Sequence, residues 1–309
     1  MNSLPLALAL TLTLSLSAPF SPAVAGSAFQ AETETRAVEQ AEAAAKAAQE
    51  AARAKIPTVP PSSAPGAPVT YDLRLPVLMY HHVVPNGEKC NEMTVTVGRL
   101  ERDLQWLADN GYHTVLPREM AAGQPLPEKP VLITFDDGYR SNYDLAFPLL
   151  QKYQAKAAIA IMVYMQDYWT GSFLSWDMCR EMSASGLVEI GSHGYITHNL
   201  DTRMGNFVAG QANGVQRKKG ESDQDFQLRV LEDLRCSYER IAMELGTPPT
   251  YFAYPFGKTD PDADAFLKTL FPVTVITGPG KRSANLSKGL QQLPRYTITM
   301  QHRPSEFLK

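Results

Sequence analysis

From residue 71 onward the chain alternates short apolar runs with longer stretches in which apolar residues recur every three or four positions. The runs "LPVLMYH", "HTVLP", "PVLITF", "AKAAIAIMV", "LVEIGSH", "TYFAYPFG", "VTVIT" and "RYTIT" have strand length and are bounded by polar, Gly or Pro residues. Between them lie amphipathic segments. "TVGRLERDLQWLADNG" puts Leu100, Leu104 and Leu107 on one helical face and stops at Asn110-Gly111. "NYDLAFPLLQKY" reads as helical despite Pro148, and "SWDMCREMSASG" as a helix with Ser175 as N-cap. A long helix is expected over "SDQDFQLRVLEDLRCSYERIAMELG", apolar at Phe226, Val230, Leu234, Tyr238, Ile241 and Leu245 and ended by Gly246 and Pro248-Pro249. "DADAFLKTLF" is the last helix. Strands alternating with helices predict an α/β domain with a parallel sheet covered by helices. About seven core strands within residues 71 to 309 favour an irregular barrel over an open sheet. Such barrels carry their chemistry where the strands end, on the C-terminal face.

The first 70 residues follow another pattern. An apolar run from Leu4 to Leu16, then Pro19, Pro22 and Ala23-Val24-Ala25, reads as a secretory signal over residues 1 to 25 with an A-x-A cleavage site. No Lys or Arg precedes Arg36, so the basic n-region is missing. An uncleaved anchor is the competing reading, although three prolines make a poor membrane helix. Residues 26 to 70 run from the Ala/Glu-rich "AETETRAVEQAEAAAKAAQEAARAK" into the Pro-rich "IPTVPPSSAPGAPVT". The first is a solvated helix or tether and the second is extended. Together they form a stalk, and residues 71 to 309 form one domain. The predicted location is secreted or extracytoplasmic, with association to the cell envelope through the stalk.

Composition narrows the partners. The 309 residues are 44% hydrophobic with a net charge of -3, which lacks the basic footprint of nucleic-acid binding. Cys90, Cys179 and Cys236 have no metal-ligand spacing; one disulfide is compatible with export, and Cys179 and Cys236 fall on expected helices as small core residues.

The candidate chemistry gathers at strand ends. Of six histidines, His81 and His82 follow "PVLMY", and His193 and His198 follow "LVEIGS"; His113 and His302 lack such a context. Asp136 and Asp137 follow "VLITF". Residues five apart on a helix point about 140° away from each other, so His193 and His198 are not a helical pair and must converge from a loop, which Gly194 favours. An Asp, two His and an open position are a common hydrolytic metal pattern. Adjacent carboxylates repel unless a cation compensates, and a divalent ion lets one ligate while the other accepts a proton. Gly138 allows the chain to turn so that both face one site. The plainer alternatives are an N-cap role for either Asp and backbone bonding for either His.

"TFDDG" (Thr134 to Gly138), "SHGYITH" (Ser192 to His198) and "YPFG" (Tyr254 to Gly257) resemble the NodB-like polysaccharide deacetylases, carbohydrate esterase family four. "PVLMYHHV" and "LPEKPVLITFDDGY" resemble its circularly permuted branch, which includes deacetylases of poly-β-1,6-N-acetylglucosamine. The resemblance covers roughly residues 75 to 300 and implies a deformed (β/α) barrel. It makes Asp136 the general base, Asp137, His193 and His198 the metal ligands, and His81 the general acid, preferred over His82. It places the Phe256 backbone N–H at the oxyanion, with Tyr254, Pro255 and Arg295 on the substrate side. Many members carry an arginine just before the Pro-aromatic pair that orients the catalytic aspartate; here those positions are Tyr251, Phe252 and Ala253. Arg295 is the candidate to take part of that role, packing being its alternative. The implied cofactor is one divalent ion, zinc by default, with cobalt, nickel or iron also suited.

The implied reaction is removal of N-acetyl groups from N-acetylglucosamine units of an extracellular polysaccharide, poly-β-1,6-N-acetylglucosamine first. Peptidoglycan is the alternative polymer. A plant-polysaccharide acetyl-ester hydrolase and a noncatalytic carbohydrate-binding protein are the competing classes on the same fold. The polar stretch 201 to 222 after the second histidine reads as a groove-covering loop or a disordered insertion.

Overall fold

The computed structural model describes residues 69–198, 214–277 and 283–308. The expected signal segment, all of the stalk but its last two residues, and residues 201–213 of the polar stretch lie outside the described residues.

The apolar runs form seven parallel strands: β1 (Val77–Tyr80), β2 (Pro130–Phe135), β3 (Ala157–Ile161), β4 (Val188–Ser192), β5 (Tyr251–Ala253), β6 (Val273–Thr277) and β7 (Leu293–Thr297). The ring runs β1-β7-β6-β5-β4-β3-β2 and closes because β1 pairs with β7 on one side and β2 on the other. Register at the closure sets Tyr80 beside Phe135 and Thr297 beside Met79. The "HTVLP" run yields only His113–Thr114, paired with the start of β2 outside the ring, because a short helix (Pro117–Ala121) begins three residues later.

Strand alternation sorts the side chains. Leu132, Ala158, Ala160, Tyr251, Val275 and Leu293 meet in one buried cluster inside the barrel. Gly191 of β4 shares that face: a Cβ there would lie 2.3 Å from the Tyr251 ring, so the aromatic fills the space that a side chain on β4 would need. In the period-two pattern, Thr134 and Asp136 follow Leu132 inward, and Arg295 follows Leu293.

Six longer helices surround the ring: α1 (Val97–Asp109), α2 (Phe147–Tyr153), α3 (Val163–Tyr168), α4 (Trp176–Ala184), α5 (Glu232–Leu245) and α6 (Pro261–Leu270). In α1, Leu100, Leu104 and Leu107 are buried and Thr96 caps the N-terminus by accepting from the Arg99 N–H. Ser175 caps α4 by accepting from the Met178 N–H. Two expected helices are interrupted. Asn142–Ala146 is a π turn leading into α2, which puts Pro148 in the first turn of the α-helix, where its missing N–H costs nothing. The long helix is a single turn (Asp223–Phe226), a π turn (Gln227–Leu231) and then α5. Phe226, Val230, Leu234 and Tyr238 are spaced by four, and each such step advances an ideal α-helix roughly 40° too far. The underwound π turn reduces that drift, and all four pack with Phe252 and Phe271 in the layer outside β5.

Cys90, Cys179 and Cys236 are free thiols, and burial pushes those of Cys179 and Cys236 up to about 12, so both are unreactive core residues. No helix among the described residues is long and apolar enough to cross a membrane.

Candidate metal and catalytic site

The C-terminal end of β2 builds the centre of the site. The Asp136 N–H donates to the Tyr80 carbonyl (3.0 Å), which continues the β1–β2 pairing by one residue. The chain then turns sharply: Asp137 and Gly138 both have φ of +72°. Asp tolerates this left-handed region better than most residues, and at Gly138 a Cβ would lie 2.8 Å from Ile161 Cγ2. This turn brings two neighbouring side chains to one cavity mouth, which regular strand geometry forbids.

Asp137 Oδ1 lies 3.5 Å from His198 Nε2 and 3.7 Å from His193 Nε2. All three ligand atoms fall within 4.8 Å of one another. Bonds of about 2.0–2.2 Å at tetrahedral angles would set ligand atoms roughly 3.4 Å apart, so the trio fits a zinc-sized cation after a small contraction. Asp137 Oδ1 is buried and accepts no hydrogen bond, the condition of an acceptor built for a cation. His193 is arranged as a ligand: its Nδ1–H donates to the Ala253 carbonyl (2.7 Å), which leaves the Nε2 lone pair facing Asp137. Burial draws its pKa down to about 4 against the opposing charge of Asp136, so the imidazole is neutral at pH 7. The ring of His198 lies 4.9 Å from that of His193 and 4.4 Å from that of Phe256.

Asp136 belongs to a second unit. Arg295 Nη1 donates to its Oδ1 (2.7 Å) and Nη2 to its Oδ2 (2.6 Å). Arg295 also donates to Thr134 Oγ1 (3.2 Å) and to the Ile276 carbonyl (3.2 Å), and its side chain is 0% exposed. Burial pushes the Asp136 carboxyl upward, but the Arg295 charge, with His193 and His81, outweighs it and holds the group well below the ordinary carboxylate range. Asp136 is therefore an anion with fixed orientation. Arg295 orients the aspartate, and with no exposed surface it offers nothing to a substrate directly.

His81 follows β1, next to β2, and is close enough to Asp136 to contribute to its charge environment. Its carbonyl accepts from Asn142 Nδ2 (2.8 Å), and the Val83 N–H donates to Ser141 Oγ (3.1 Å), so the segment after "FDDG" grips the histidine turn. His82 instead pairs with Thr94 and lays its ring on Tyr139 at 4.7 Å. Phe256 has φ of +57° in the 3₁₀ turn Pro255–Gly257, which follows β5 at the same end of the barrel. Pro255 is buried there. Tyr254 is not brought to the site: it is 1% exposed, packs edge-on against Phe252, and its hydroxyl donates to Asp264 Oδ1 (2.7 Å) in the outer layer.

Sequence reasoning missed two buried polar residues around this centre, Asn142 and Asp233. Asp233 is fully buried on α5 and accepts from the backbone of the loop between the two histidines. A signal existed. Asp233 and Ser237 are four apart on a buried helix face, and Ser237 Oγ meets Ser192 Oγ of β4 at 2.8 Å. Paired polar residues inside an apolar stripe mark a helix that hydrogen-bonds what it covers.

The family described as polysaccharide deacetylase matches residues 123–270, a span that holds Asp136, Asp137, His193, His198 and Phe256 but neither His81 nor Arg295. The poly-β-1,6-N-acetyl-D-glucosamine N-deacetylase of Escherichia coli K12 is 27% identical over 215 residues, covering 62% of this chain and 32% of that protein. The chain thus spans about a third of the length of this relative. The Bacillus subtilis protein YxkH, whose name places it among polysaccharide deacetylases, is 28% identical over 232 residues, covering 73% of this chain and 72% of its own. Among solved structures, IcaB from Ammonifex degensii superposes with a TM-score of 0.60 at 27% identity, covering 76% of this chain and 95% of that one.

Proposed function

Because the chain belongs to the polysaccharide deacetylases, hydrolases built on the NodB-like barrel, we propose that it removes N-acetyl groups from N-acetylglucosamine units of an extracellular polysaccharide, poly-β-1,6-N-acetylglucosamine in the first place. The observation that carries the chemistry is the division of labour at the end of β2: Asp137 faces two histidines while its neighbour Asp136 is locked onto Arg295. The polymer is suggested by the relatives' names and by the position of His81 directly after the first strand of the ring.

Asp137, His193 and His198 hold a divalent ion, zinc by default. When bound, it supplies Lewis-acid polarisation of the acetyl carbonyl and of the attacking water. Asp136, ionised and oriented by Arg295, takes the proton from that water. The carbonyl oxygen gains negative charge as the C–O bond forms, and the Phe256 N–H donates to it. His81 gives its proton to the departing nitrogen as the amide C–N bond breaks, which leaves acetate and a free amine on the polymer. The reaction takes place outside the cytoplasm, with residues 1 to 25 as the export signal and residues 26 to 70 as the stalk.

The test uses the purified protein with defined β-1,6-linked oligomers and with peptidoglycan-derived oligomers, before and after chelation. Acetate release from the β-1,6 oligomers, lost on chelation and restored by zinc, is expected. Release from peptidoglycan oligomers alone would reassign the polymer, and no release from either after zinc is restored would overturn the enzymatic reading.

A further inference from the structure

The two histidines of the metal group are joined by residues 194–197, a return too tight for helix or strand. Gly194 has φ of +86°, and a Cβ there would lie 2.0 Å from Thr197 Oγ1. Such a turn leaves its backbone groups outside regular pairing, and with Gly194, Tyr195 and Thr197 buried and Ile196 half-buried, unpaired amides there are costly. The pairing comes from outside the barrel. The Gly194 and Tyr195 carbonyls accept from the first amides of α3, Val163 N–H (3.1 Å) and Tyr164 N–H (3.2 Å). The Tyr195 N–H donates to Asp233 Oδ1 (2.9 Å) and the Ile196 N–H to Asp233 Oδ2 (2.7 Å). The Tyr195 hydroxyl adds a third tie, to Asp167 Oδ2 (3.1 Å), and Asp167 is in turn held by Arg240 of α5 (2.8 Å).

Asp233 is 0% exposed, and no ion pair among the described residues involves it. A carboxylate is an expensive group to bury without a cation, and its use here needs a reason. The reason lies in acceptor count. Two adjacent amides point the same way, and a carboxylate offers an acceptor to each. An Asn side chain would accept from one and turn an N–H toward the other.

We infer that Asp233 is the positioning residue of the metal centre: from α5 it clamps the 194–197 turn in the one shape that aims His193 and His198 together at Asp137, and so sets the affinity of the site for its ion. The inference rests on the reading of Asp137, His193 and His198 as ligands. It adds that the site is preformed by a residue that touches no ligand atom.

The full chain, stripped of metal, is titrated with zinc against a chromophoric chelator. If the wild-type protein takes up no zinc, the ligand reading itself fails. Given wild-type uptake, Asp233→Asn is expected to weaken zinc binding ten- to a hundred-fold, the usual cost of losing an outer partner of a metal ligand. Asp103→Asn is the control. That carboxylate is also buried, but on α1, where it is bonded to Arg99 and Tyr80, and its loss lowers the melting temperature without moving zinc affinity. Unchanged affinity in Asp233→Asn, or equal weakening in both variants, would overturn the inference. Should Asp233→Asn fail to fold, amide hydrogen exchange on the wild-type apoprotein decides. Tyr195 and Ile196 are expected to be protected before metal is added; free exchange that is quenched only by zinc would mean that the ion, not Asp233, orders the turn.

Discussion

Arg295 and Asp136 form a two-point ion pair inside the barrel, 159 residues apart in the chain, with side chains 0% and 2% exposed. The pair joins β7 to the end of β2 across β1, so it fixes the orientation of the Asp136 carboxylate and ties the ring at its point of closure. Removing the cation strands a buried anion. Arg295→Met is expected to cost about 3–5 kcal/mol of stability, read as a lowered chemical-denaturation midpoint. It should also lower kcat/KM in whatever protein remains folded. A variant with full stability and full activity would show that the pair neither holds nor orients.

In the proposed reaction Asp136 is the base, and it lies outside the Asp137, His193 and His198 group. Asp136→Asn should keep its zinc stoichiometry and lose about 10²–10⁴-fold in kcat. Asp137→Asn should instead lose the metal. The two adjacent substitutions separate the roles, and the outcome to look for is metal content against turnover; loss of zinc from Asp136→Asn would contradict the division.

The adjacent histidines make a similar contrast. His81 is near enough to Asp136 to add to its charge environment, and His82 packs at a tilt against the Tyr139 ring. His81→Ala is expected to reduce kcat by two or more orders of magnitude, roughly what a general acid contributes, with His82→Ala within a few-fold of wild type. Asn142→Ala, which frees the His81 carbonyl, should fall between them. Equal losses in the two histidine variants would remove the distinction.

A pH effect is expected far from the chemistry. Glu189, early in β4, is buried with the Thr250 hydroxyl on one oxygen and the Arg118 N–H on the other. Burial raises its pKa from 4.5 to about 7, against the pull of those donors. The folded state therefore binds this proton more tightly than the unfolded state. Its stabilising effect is complete below about pH 4.5 and is lost as pH rises through about 7. Glu189→Gln, which keeps one acceptor and stays neutral, should flatten that part of the stability curve and exceed wild-type stability at pH 8, by roughly 2–4 kcal/mol. Parallel wild-type and Glu189→Gln curves from pH 4.5 to 8 would show that this carboxyl does not titrate as stated.

Local pattern carried much of this protein. Apolar runs of strand length and Leu100, Leu104 and Leu107 on one helical face are set by the period of each element, which neighbouring residues alone encode. The parallel barrel followed from their alternation, and the strand-end rule picked out Asp136, Asp137, His81, His193 and His198 because a barrel interior leaves such groups only one wet end. Tyr254 and Arg295 show where that logic stops. Tyr254 was expected on the substrate side yet packs beneath α6; Arg295 was expected there or on the aspartate, and it is sealed inside the ring against Asp136. Which face a residue takes at the end of a strand depends on where the strand stops, and what it meets there depends on which strands are neighbours.

Those neighbours are a property of ring closure. Nothing near Arg295 in the chain names Asp136 as its partner; the β7–β1–β2 adjacency does. Nothing near Asp233 names the amides of Tyr195 and Ile196; the packing of α5 over β4 does. The sequence by itself determined which elements form and which end of the barrel is reactive, because both follow from short-range periodicity. Only the tertiary structure decided which carboxylate is paired, which is open to a cation and which holds the loop, because a carboxylate's role is set by the charges and donors that surround it in space.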